Sequence, residues 1–126
     1  MLAAWARAGG TPLVSVGAAG GKRAAERVEV ADLADVTHDP MLAALRQRLR
    51  KQHGAPRSGP LGVCCVFSRE PVAMPSGDAC DVDGSLNCHG YGSSVGVTAT
   101  FGLVAATRAL ESAALAAHRA SLPATL

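Results

Sequence analysis

The chain has 126 residues, enough for one domain with a modest hydrophobic core and too few for two. Its net charge of +2 and charged fraction of 17% exclude both a strongly basic nucleic-acid binder and a highly charged disordered chain. Hydrophobic residues make up 48% but aromatic residues only 3%, so leucine, valine and alanine must fill the interior. Such a core buries little area per residue, which favours a partner surface.

The sequence carries no signal for secretion or membrane insertion. The N-terminal MLAAWARAGG lacks the charged start and the long apolar region of a signal peptide. The longest apolar run, around Val95 to Ala106, is interrupted by threonine and glycine and is shorter than the roughly 18–20 residues that a bilayer requires. We therefore expect a soluble cytoplasmic protein with no membrane partner.

The first third of the chain predicts a helix, a strand and a glycine turn. Residues 2–8 have helical propensity and end at Gly9-Gly10, and Leu13 to Val16 then reads as a buried strand. Residues 17–21 (GAAGG) predict a tight turn with close backbone approach. The turn lacks both the G-x-G-x-x-G pattern and a Gly-Lys-Ser/Thr ending and leads toward another strand, so phosphate binding is not favoured here.

A second strand and a basic helix follow. Residues 27–33 alternate in the manner of a strand with one wet face. Asp39 is a good N-cap and Pro40 a good first helical residue, which predicts a helix from Pro40 to about Gln52. Leucines three or four residues apart form its buried stripe and leave the arginines outside. These leucines are Leu42, Leu45 and Leu49.

Four cations lie within this helix: Arg46, Arg48, Arg50 and Lys51. The ordinary interpretation is a solvated helix face, and cations also suit a helix C-terminus. The alternative is a surface that attracts nucleic acid.

The second half predicts a strand, a loop and a long helix. Residues 62–67 form the strand, and residues 71–91 are turn-rich and predict a variable loop. The aspartates of this loop lack the twelve-residue spacing and terminal glutamate of a calcium site, so we predict no metal there. A helix is predicted from Ser93 to about Ala120, with small residues that suit packing against a sheet or a second subunit.

The four cysteines stand at positions 64, 65, 80 and 88, and none has the C-x-x-C spacing of a structural zinc site. Cys64 and Cys65 are adjacent on a strand and point to opposite faces, so they do not share one metal easily. We expect free thiols, with Cys65 in the core.

Four segments together resemble the C-terminal half of the tRNA threonylcarbamoyladenosine dehydratases, members of the ThiF/MoeB/HesA superfamily related to ubiquitin-activating enzymes. They are PLVSVGAAGG (12–21), VEVADLADVTHDPMLAALRQRLRK (28–51), LGVCCVFSREPV (61–72) and GSSVGVTATFGLVAATRAL (92–110). The resemblance implies an α/β fold, the C-terminal part of a Rossmann-like adenylating enzyme, with mixed sheet strands and a long C-terminal helix. Residues 1–126 would form a single partial domain.

The resemblance also implies a cytoplasmic, homodimeric enzyme of tRNA modification that depends on ATP and Mg²⁺. Such enzymes activate the carboxylate of the threonylcarbamoyl group on a tRNA adenosine and then close it into a ring. In this superfamily the nucleotide loop and the magnesium ligands lie upstream of the strand at which this chain begins. We therefore expect a truncated or split product whose partner is the missing N-terminal half, and which alone neither binds ATP nor catalyses.

Two departures from the family pattern concern local geometry. The family tends to have an acidic residue where Cys64 stands, and Asp-Pro after the glycine turn, where this chain has Ala24-Ala25. Cys88 matches a cysteine of the family motif and precedes a helix N-terminus, which favours the thiolate. It is a candidate catalytic residue or a contact for a sulfur-relay protein; the alternative is a small residue at a crowded turn.

Two other functions remain open at this point. A sibling that adenylates a sulfur-carrier protein would share the fold, but the C-x-x-C zinc pairs typical of it are missing. A non-catalytic dimeric module that holds RNA through Arg46, Arg48 and Arg50 belongs to another class. Salt-dependent RNA binding by the isolated chain would favour that module.

Overall fold

The computed structural model describes residues 1–72 and 92–122. The predicted loop at 71–91 therefore lies almost wholly outside the described residues, as do Cys80 and Cys88. The elements in chain order are α1 (Leu2–Gly9), β1 (Val14–Val16), a 3₁₀ turn (Ala25–Arg27), β2 (Val28–Asp32), α2 (Pro40–Gln52), β3 (Cys64–Ser68) and α3 (Val95–Ser121). Every predicted helix and strand is present, with its ends within about two residues of the prediction.

The three strands form one mixed sheet in the order β1-β3-β2. β1 runs parallel to β3 with Val14 opposite Cys64, and β2 runs antiparallel to β3 with Val28 opposite Ser68. The predicted mixed sheet is thereby confirmed. Because β1 and β3 are parallel, their carboxyl ends lie at the same edge, where β2 begins.

Helices cover both faces of the sheet, which is the layered arrangement expected of an α/β protein. On one face Cys65 and Phe67 pack with apolar residues of α1 and α2. On the other face Val66 packs with Val97 and Phe101 of α3. Successive residues of β3 thus serve opposite faces, as the period of a strand requires.

Helix α2 forms as its sequence predicts. The Asp39 side chain accepts a hydrogen bond from the Leu42 N–H at 2.9 Å, and Pro40 occupies the first turn, where its missing N–H costs nothing. Leu42 and Leu49 are buried and Leu45 packs against them at the edge of the core.

The predicted wet face of β2 is present only at Glu29, whose side chain is 43% exposed. All five of its residues are half-buried. Val28 and Val30 pack toward α3, whereas Ala31 packs toward α1 and α2. Alternating hydrophobicity in the strand did not reveal that helices from distant parts of the chain approach both of its faces.

In the described part of the chain, no helix combines the length and the hydropathy that crossing a bilayer would take. Within residues 1–72 and 92–122, histidine, cysteine and acidic side chains also form no group of three that could hold a metal ion.

Candidate functional site

Three segments meet where β1 and β3 end, and we call this region the carboxyl edge. β1 leads into the glycine turn at 17–21, β3 leads into Arg69 and Glu70, and α2 begins beside the turn at Asp39. In open α/β sheets, ligands bind in the crevice at the carboxyl ends of the strands, between the loops that follow them. The carboxyl edge is therefore the candidate site.

Lys22 is buried at this edge, with 2% of its surface exposed. Its Nζ donates to the carbonyl oxygen of Ser68 at 2.5 Å and also reaches the carbonyl oxygen of His38 at 3.4 Å. Burial lowers the pKa of Lys22, while the carboxylates of Asp39 and Glu70 act in the opposite direction. One buried cation thus joins the glycine turn, the end of β3 and the approach to α2.

His38 supplies one of these carbonyls from an uncommon backbone conformation. Its φ is 59°, in the left-handed region that non-glycine residues seldom adopt. The ring Nδ1 lies 2.9 Å from the Thr37 hydroxyl oxygen, and the side chain is exposed. Strained residues of this kind cluster at functional sites because the surrounding structure must hold them.

Asp39 holds two elements together with its two carboxylate oxygens. Oδ1 accepts the Leu42 N–H at the start of α2, and Oδ2 accepts the Ala18 N–H of the glycine turn at 2.7 Å. The side chain is buried, and both hydrogen bonds are charge-assisted. The same residue therefore caps the helix and sets the position of the turn.

The backbone of the turn packs closely against neighbouring side chains at Gly17. Its N–H donates to the Val66 carbonyl at 2.8 Å, which continues the pairing of β1 with β3. A Cβ at this position would overlap Oδ2 of Asp39 and would lie 3.2 Å from side-chain atoms of both Leu42 and Phe67. The close approach predicted for the turn is confirmed at this glycine.

Glu70 ties the far end of the turn to β3. Its carboxylate accepts the N–H groups of Arg23 and Ala24, each at 3.0 Å. These backbone hydrogen bonds, from Ala24 first and then Arg23, lower the pKa of Glu70. Lys22, Asp39 and Glu70 are thus hydrogen-bonded to protein backbone, so these three residues supply shape and rigidity rather than an acid or base poised for proton transfer.

No family model matches the chain. Two curated relatives do. The tRNA threonylcarbamoyladenosine dehydratase of Escherichia coli is 39% identical over 121 residues, which cover 87% of this chain and 45% of the relative. The enzyme of the same name from Haemophilus influenzae is 31% identical over 103 residues, covering 79% of this chain and 40% of the relative.

Solved structures agree with the sequence comparison. The E. coli enzyme in complex with ATP superposes with a TM-score of 0.74 at 39% identity, covering 93% of this chain and 44% of that chain. Its complex with AMP has the same TM-score at 40% identity. The chain is a homologue of part of a tRNA threonylcarbamoyladenosine dehydratase. The predicted family and fold are thereby confirmed.

The chain spans less than half the length of the dehydratases that it matches. That share agrees with the predicted correspondence to a C-terminal half. The matched fold covers 93% of this chain.

The structure separates the four cations of α2 into two pairs. Arg46 is half-buried, and its NH1 donates to the carbonyl oxygens of Leu33 at 3.0 Å and Val36 at 2.7 Å. Arg50 is also half-buried, and its Nε donates to the Pro56 carbonyl at 3.2 Å. Arg48 and Lys51 are exposed. The prediction that every arginine lies outside is therefore wrong, because long side chains fold back onto carbonyls near the helix.

The two described cysteines are poor nucleophiles. Burial, followed by the neighbouring Cys64, raises the pKa of Cys65 to about 12, and the side chain lies in the core as predicted. Burial also raises the pKa of Cys64, which outweighs the favourable effect of Arg108. Cys88, the predicted catalytic candidate, lies outside the described residues.

Sequence reasoning missed Lys22 and the double role of Asp39. Lys22 directly follows the glycine turn after a buried strand, and a lone lysine between glycine and arginine resembles a surface residue. The available signal was its position directly after the turn that follows a buried strand. Its partner Ser68 is 46 residues away, so no local pattern joins the two.

Proposed function

We propose that this chain forms the C-terminal scaffold of an ATP-dependent tRNA threonylcarbamoyladenosine dehydratase, which cyclises the threonylcarbamoyl group on a tRNA adenosine through carboxylate adenylation. The observation that carries the proposal is the TM-score of 0.74 at 39% identity, over 93% of the chain, to a dehydratase solved with ATP. Sequence and fold agree over the same stretch.

The chemistry requires a rigid frame more than reactive groups from this half. A carboxylate oxygen leaves poorly until adenylation converts the group to a mixed anhydride with AMP, and fixed positioning of the reactants accounts for much of such a rate enhancement. The braced carboxyl edge provides such a frame, because Asp39 and Lys22 hold the turn, α2 and the end of β3 in one arrangement.

The Mg²⁺ ion that the family implies does not fit the acidic residues of this edge. Both oxygens of Asp39 accept backbone N–H groups, and the carboxylate of Glu70 accepts two more. A carboxylate that coordinates magnesium directs an oxygen at the ion instead. We therefore assign no metal-dependent step to the described residues.

In this proposal residues 1–126 are a partial domain that associates with the rest of the enzyme. ATP and Mg²⁺ bind to that remaining part, and the chain alone is inactive. The assembled enzyme is a cytoplasmic homodimer that acts on tRNA. The predicted variable loop at 71–91 lies almost wholly outside the described residues, and Cys88 within it stays a candidate for catalysis or for contact with a sulfur-relay protein.

The tRNA-facing surface of the chain centres on the exposed pair of α2. Arg48 and Lys51 are free to meet phosphates, whereas Arg46 and Arg50 contribute mainly by holding the helix and its neighbours in place. This surface contributes affinity that weakens with salt, since each phosphate contact releases counterions.

The test is reconstitution of the reaction. The chain is co-expressed with the part of the E. coli enzyme that it does not match, then supplied with ATP, Mg²⁺ and tRNA bearing threonylcarbamoyladenosine. We expect ATP–pyrophosphate exchange and the loss of one water from the modified nucleoside by mass spectrometry, with neither seen for the chain alone. Exchange by the chain alone, or an assembled complex without dehydration, would contradict the proposal.

A further inference from the structure

His38 stands in a strained backbone conformation at the carboxyl edge. Its φ of 59° is costly for a residue that carries a Cβ, so its neighbours must hold it there. The buried ammonium of Lys22 lies 3.4 Å from the His38 carbonyl oxygen, and the buried Asp39 directly after it caps α2. The backbone of His38 is therefore fixed on both sides, while its side chain remains exposed.

A chain of polar contacts orients the ring of His38. Its Nδ1 lies 2.9 Å from the Thr37 hydroxyl oxygen, which also accepts a hydrogen bond from NH1 of Arg69 at 3.3 Å. Glu29 in turn holds Arg69, because its carboxylate accepts the Nε–H at 3.0 Å. In the tautomer with the proton on Nδ1, the ring donates to Thr37 and Nε2 carries the lone pair. A histidine held at one nitrogen and open at the other has the arrangement of a general base.

His38 lines a pocket of about 510 Å³ beside the start of α2. This volume falls within the range of roughly 300–1,000 Å³ that is usual for small-molecule sites. The walls are mostly hydrocarbon, and His38 and Thr37 add polar groups to them. Such a pocket suits the flat faces of a nucleobase and a small aliphatic substituent. The apolar residues of the walls are Val36, Pro40, Ala43, Pro71 and Val72.

The other charged residues around this pocket are unsuited to accept a proton. In the described part of the chain, Asp39 and Arg46 also line it. Asp39 accepts a backbone N–H at each carboxylate oxygen, and Arg46 is a cation that donates to two backbone carbonyls. Behind the wall, Lys22 and Arg69 are cations as well. His38 is therefore the side chain of this wall suited to take up a proton near neutral pH.

Ring closure is the step of the proposed reaction that needs a base. In the first step an oxygen of the carboxylate, already ionised near neutral pH, attacks the α-phosphorus of ATP and pyrophosphate leaves. In the second step an atom of the carbamoyl group attacks the activated carboxyl carbon. The bond from that carbon to the AMP oxygen breaks, and AMP leaves with the electron pair. Closure also removes one N–H proton from the carbamoyl group, so a base must receive it.

We propose that His38 is the general base of ring closure, with the threonylcarbamoyl group and its adenine seated in the apolar pocket. Nε2 takes the carbamoyl N–H proton as AMP departs, and the hydrogen bond between Nδ1 and Thr37 keeps the ring aimed during the transfer. The proton then passes to solvent, because the side chain is exposed. This inference rests on the proposed function and names the residue that acts in its second step.

The experiment uses the complex of the chain with the unmatched part of the E. coli enzyme and measures the two steps separately. His38→Asn is the variant, because asparagine tolerates the left-handed backbone and its amide is not a base. We expect unchanged ATP–pyrophosphate exchange, and a single-turnover rate of water loss from tRNA that falls about 10²-fold or more. His118→Asn, at an exposed position near the end of α3, is the matched control and should change neither step.

Two further readouts distinguish a base from a structural residue. His38→Gly keeps the backbone conformation and opens space, so imidazole added to the buffer should restore part of the rate of water loss. The wild-type rate should fall on acidification as the His38 ring takes up a proton, and His38→Asn should lack this fall. Circular dichroism checks that each variant is folded. If the two pieces do not assemble, a chimera in which the chain replaces the matched part of the E. coli enzyme carries the same substitutions.

The outcomes separate this inference from the proposed function. Water loss at the wild-type rate in His38→Asn supports the function and overturns the role of His38. Pyrophosphate exchange that falls in parallel with water loss, a wild-type response to acid in His38→Asn, or no rescue of His38→Gly by imidazole would also overturn it. A folded wild-type complex that loses no water contradicts the proposed function, and the inference falls with it.

Discussion

Lys22 shows how a single buried charge can organise the candidate site at the carboxyl edge. Burying an ammonium is costly unless hydrogen bonds satisfy it, and here two carbonyls do so while two carboxylates lie near enough to offset part of the cost. The residue touches the glycine turn, the end of β3 and the approach to α2. Its importance therefore lies in position rather than in chemistry.

Replacing Lys22 with methionine should destabilise the chain by about 1–3 kcal/mol, because the buried carbonyl of Ser68 loses its donor. The pKa of Lys22 is lowered on folding, so between its folded pKa and the ordinary lysine value the unfolded chain binds more protons. The unfolding free energy of the wild type should therefore rise with pH in that window relative to Lys22→Met. Urea denaturation of the wild type and of Lys22→Met at several alkaline pH values measures this difference. Unfolding free energies that change with pH in parallel for the two proteins would contradict the prediction.

Gly17 and Gly20 form a matched pair in the same turn. Gly17→Ala should cost about 1–3 kcal/mol, because the new Cβ meets the carboxylate of Asp39, which two hydrogen bonds hold in place. Gly20→Ala should be neutral or slightly stabilising, since no atom lies within 4 Å of its Cβ position. Thermal unfolding compares the two. Equal effects would mean that the turn is not packed as described.

Helix α2 combines structural and surface cations at neighbouring positions. Arg46→Ala should lower the unfolding free energy by about 1–3 kcal/mol, because the carbonyls of Leu33 and Val36 lose their donor.

The double variant Arg48→Glu/Lys51→Glu should unfold like the wild type and instead weaken tRNA binding, with a shallower dependence of log K on log salt. Fluorescence anisotropy with labelled tRNA measures the second effect. Unchanged affinity would contradict a role for these two residues in the proposed tRNA-facing surface.

The end of β2 is tied to the start of β3 by Asp32. Its carboxylate accepts the N–H groups of Ala34, Leu61 and Gly62 at 2.7–2.8 Å. Burial acts to raise the pKa of Asp32, but these backbone hydrogen bonds together outweigh it and lower the pKa. The carboxylate therefore stabilises the fold most when it is ionised.

Asp32→Asn should accordingly cost about 1–3 kcal/mol at neutral pH. Because the folded pKa is lowered, the stabilisation is complete above the ordinary aspartate pKa and disappears as the pH falls through the folded value. The difference in unfolding free energy between wild type and variant should thus shrink on acidification. Asp35→Asn, at an exposed position nearby, is the control and should change little at any pH.

The assembled enzyme should differ from the chain alone in its response to nucleotide. We expect ATP at millimolar concentration to leave the melting temperature of the chain unchanged and to raise that of the complex with the unmatched part of the E. coli enzyme, because a ligand stabilises only a state that binds it. Differential scanning calorimetry measures both. A clear shift for the chain alone would place a nucleotide site within it.

Local chemistry was sufficient to predict much of this fold. The Asp39-Pro40 pair and the spacing of Leu42 and Leu49 predict α2 to the residue, since a cap and a helical period involve only neighbours in the chain. Glycines after an apolar run likewise predict the turn after β1. The order of four such segments indicated the dehydratase family, which the comparisons confirm.

Contacts between distant segments decided the rest. The amino-acid sequence alone does not show that Lys22 reaches Ser68, that Arg46 turns back to Leu33, or that helices approach β2 from both sides. Periodicity distinguishes an apolar side from a polar one, but it does not identify which remote backbone groups a long side chain will meet. Secondary structure thus followed from short-range patterns and the family from a resemblance spread over four segments, whereas the braced carboxyl edge exists only once the sheet has assembled.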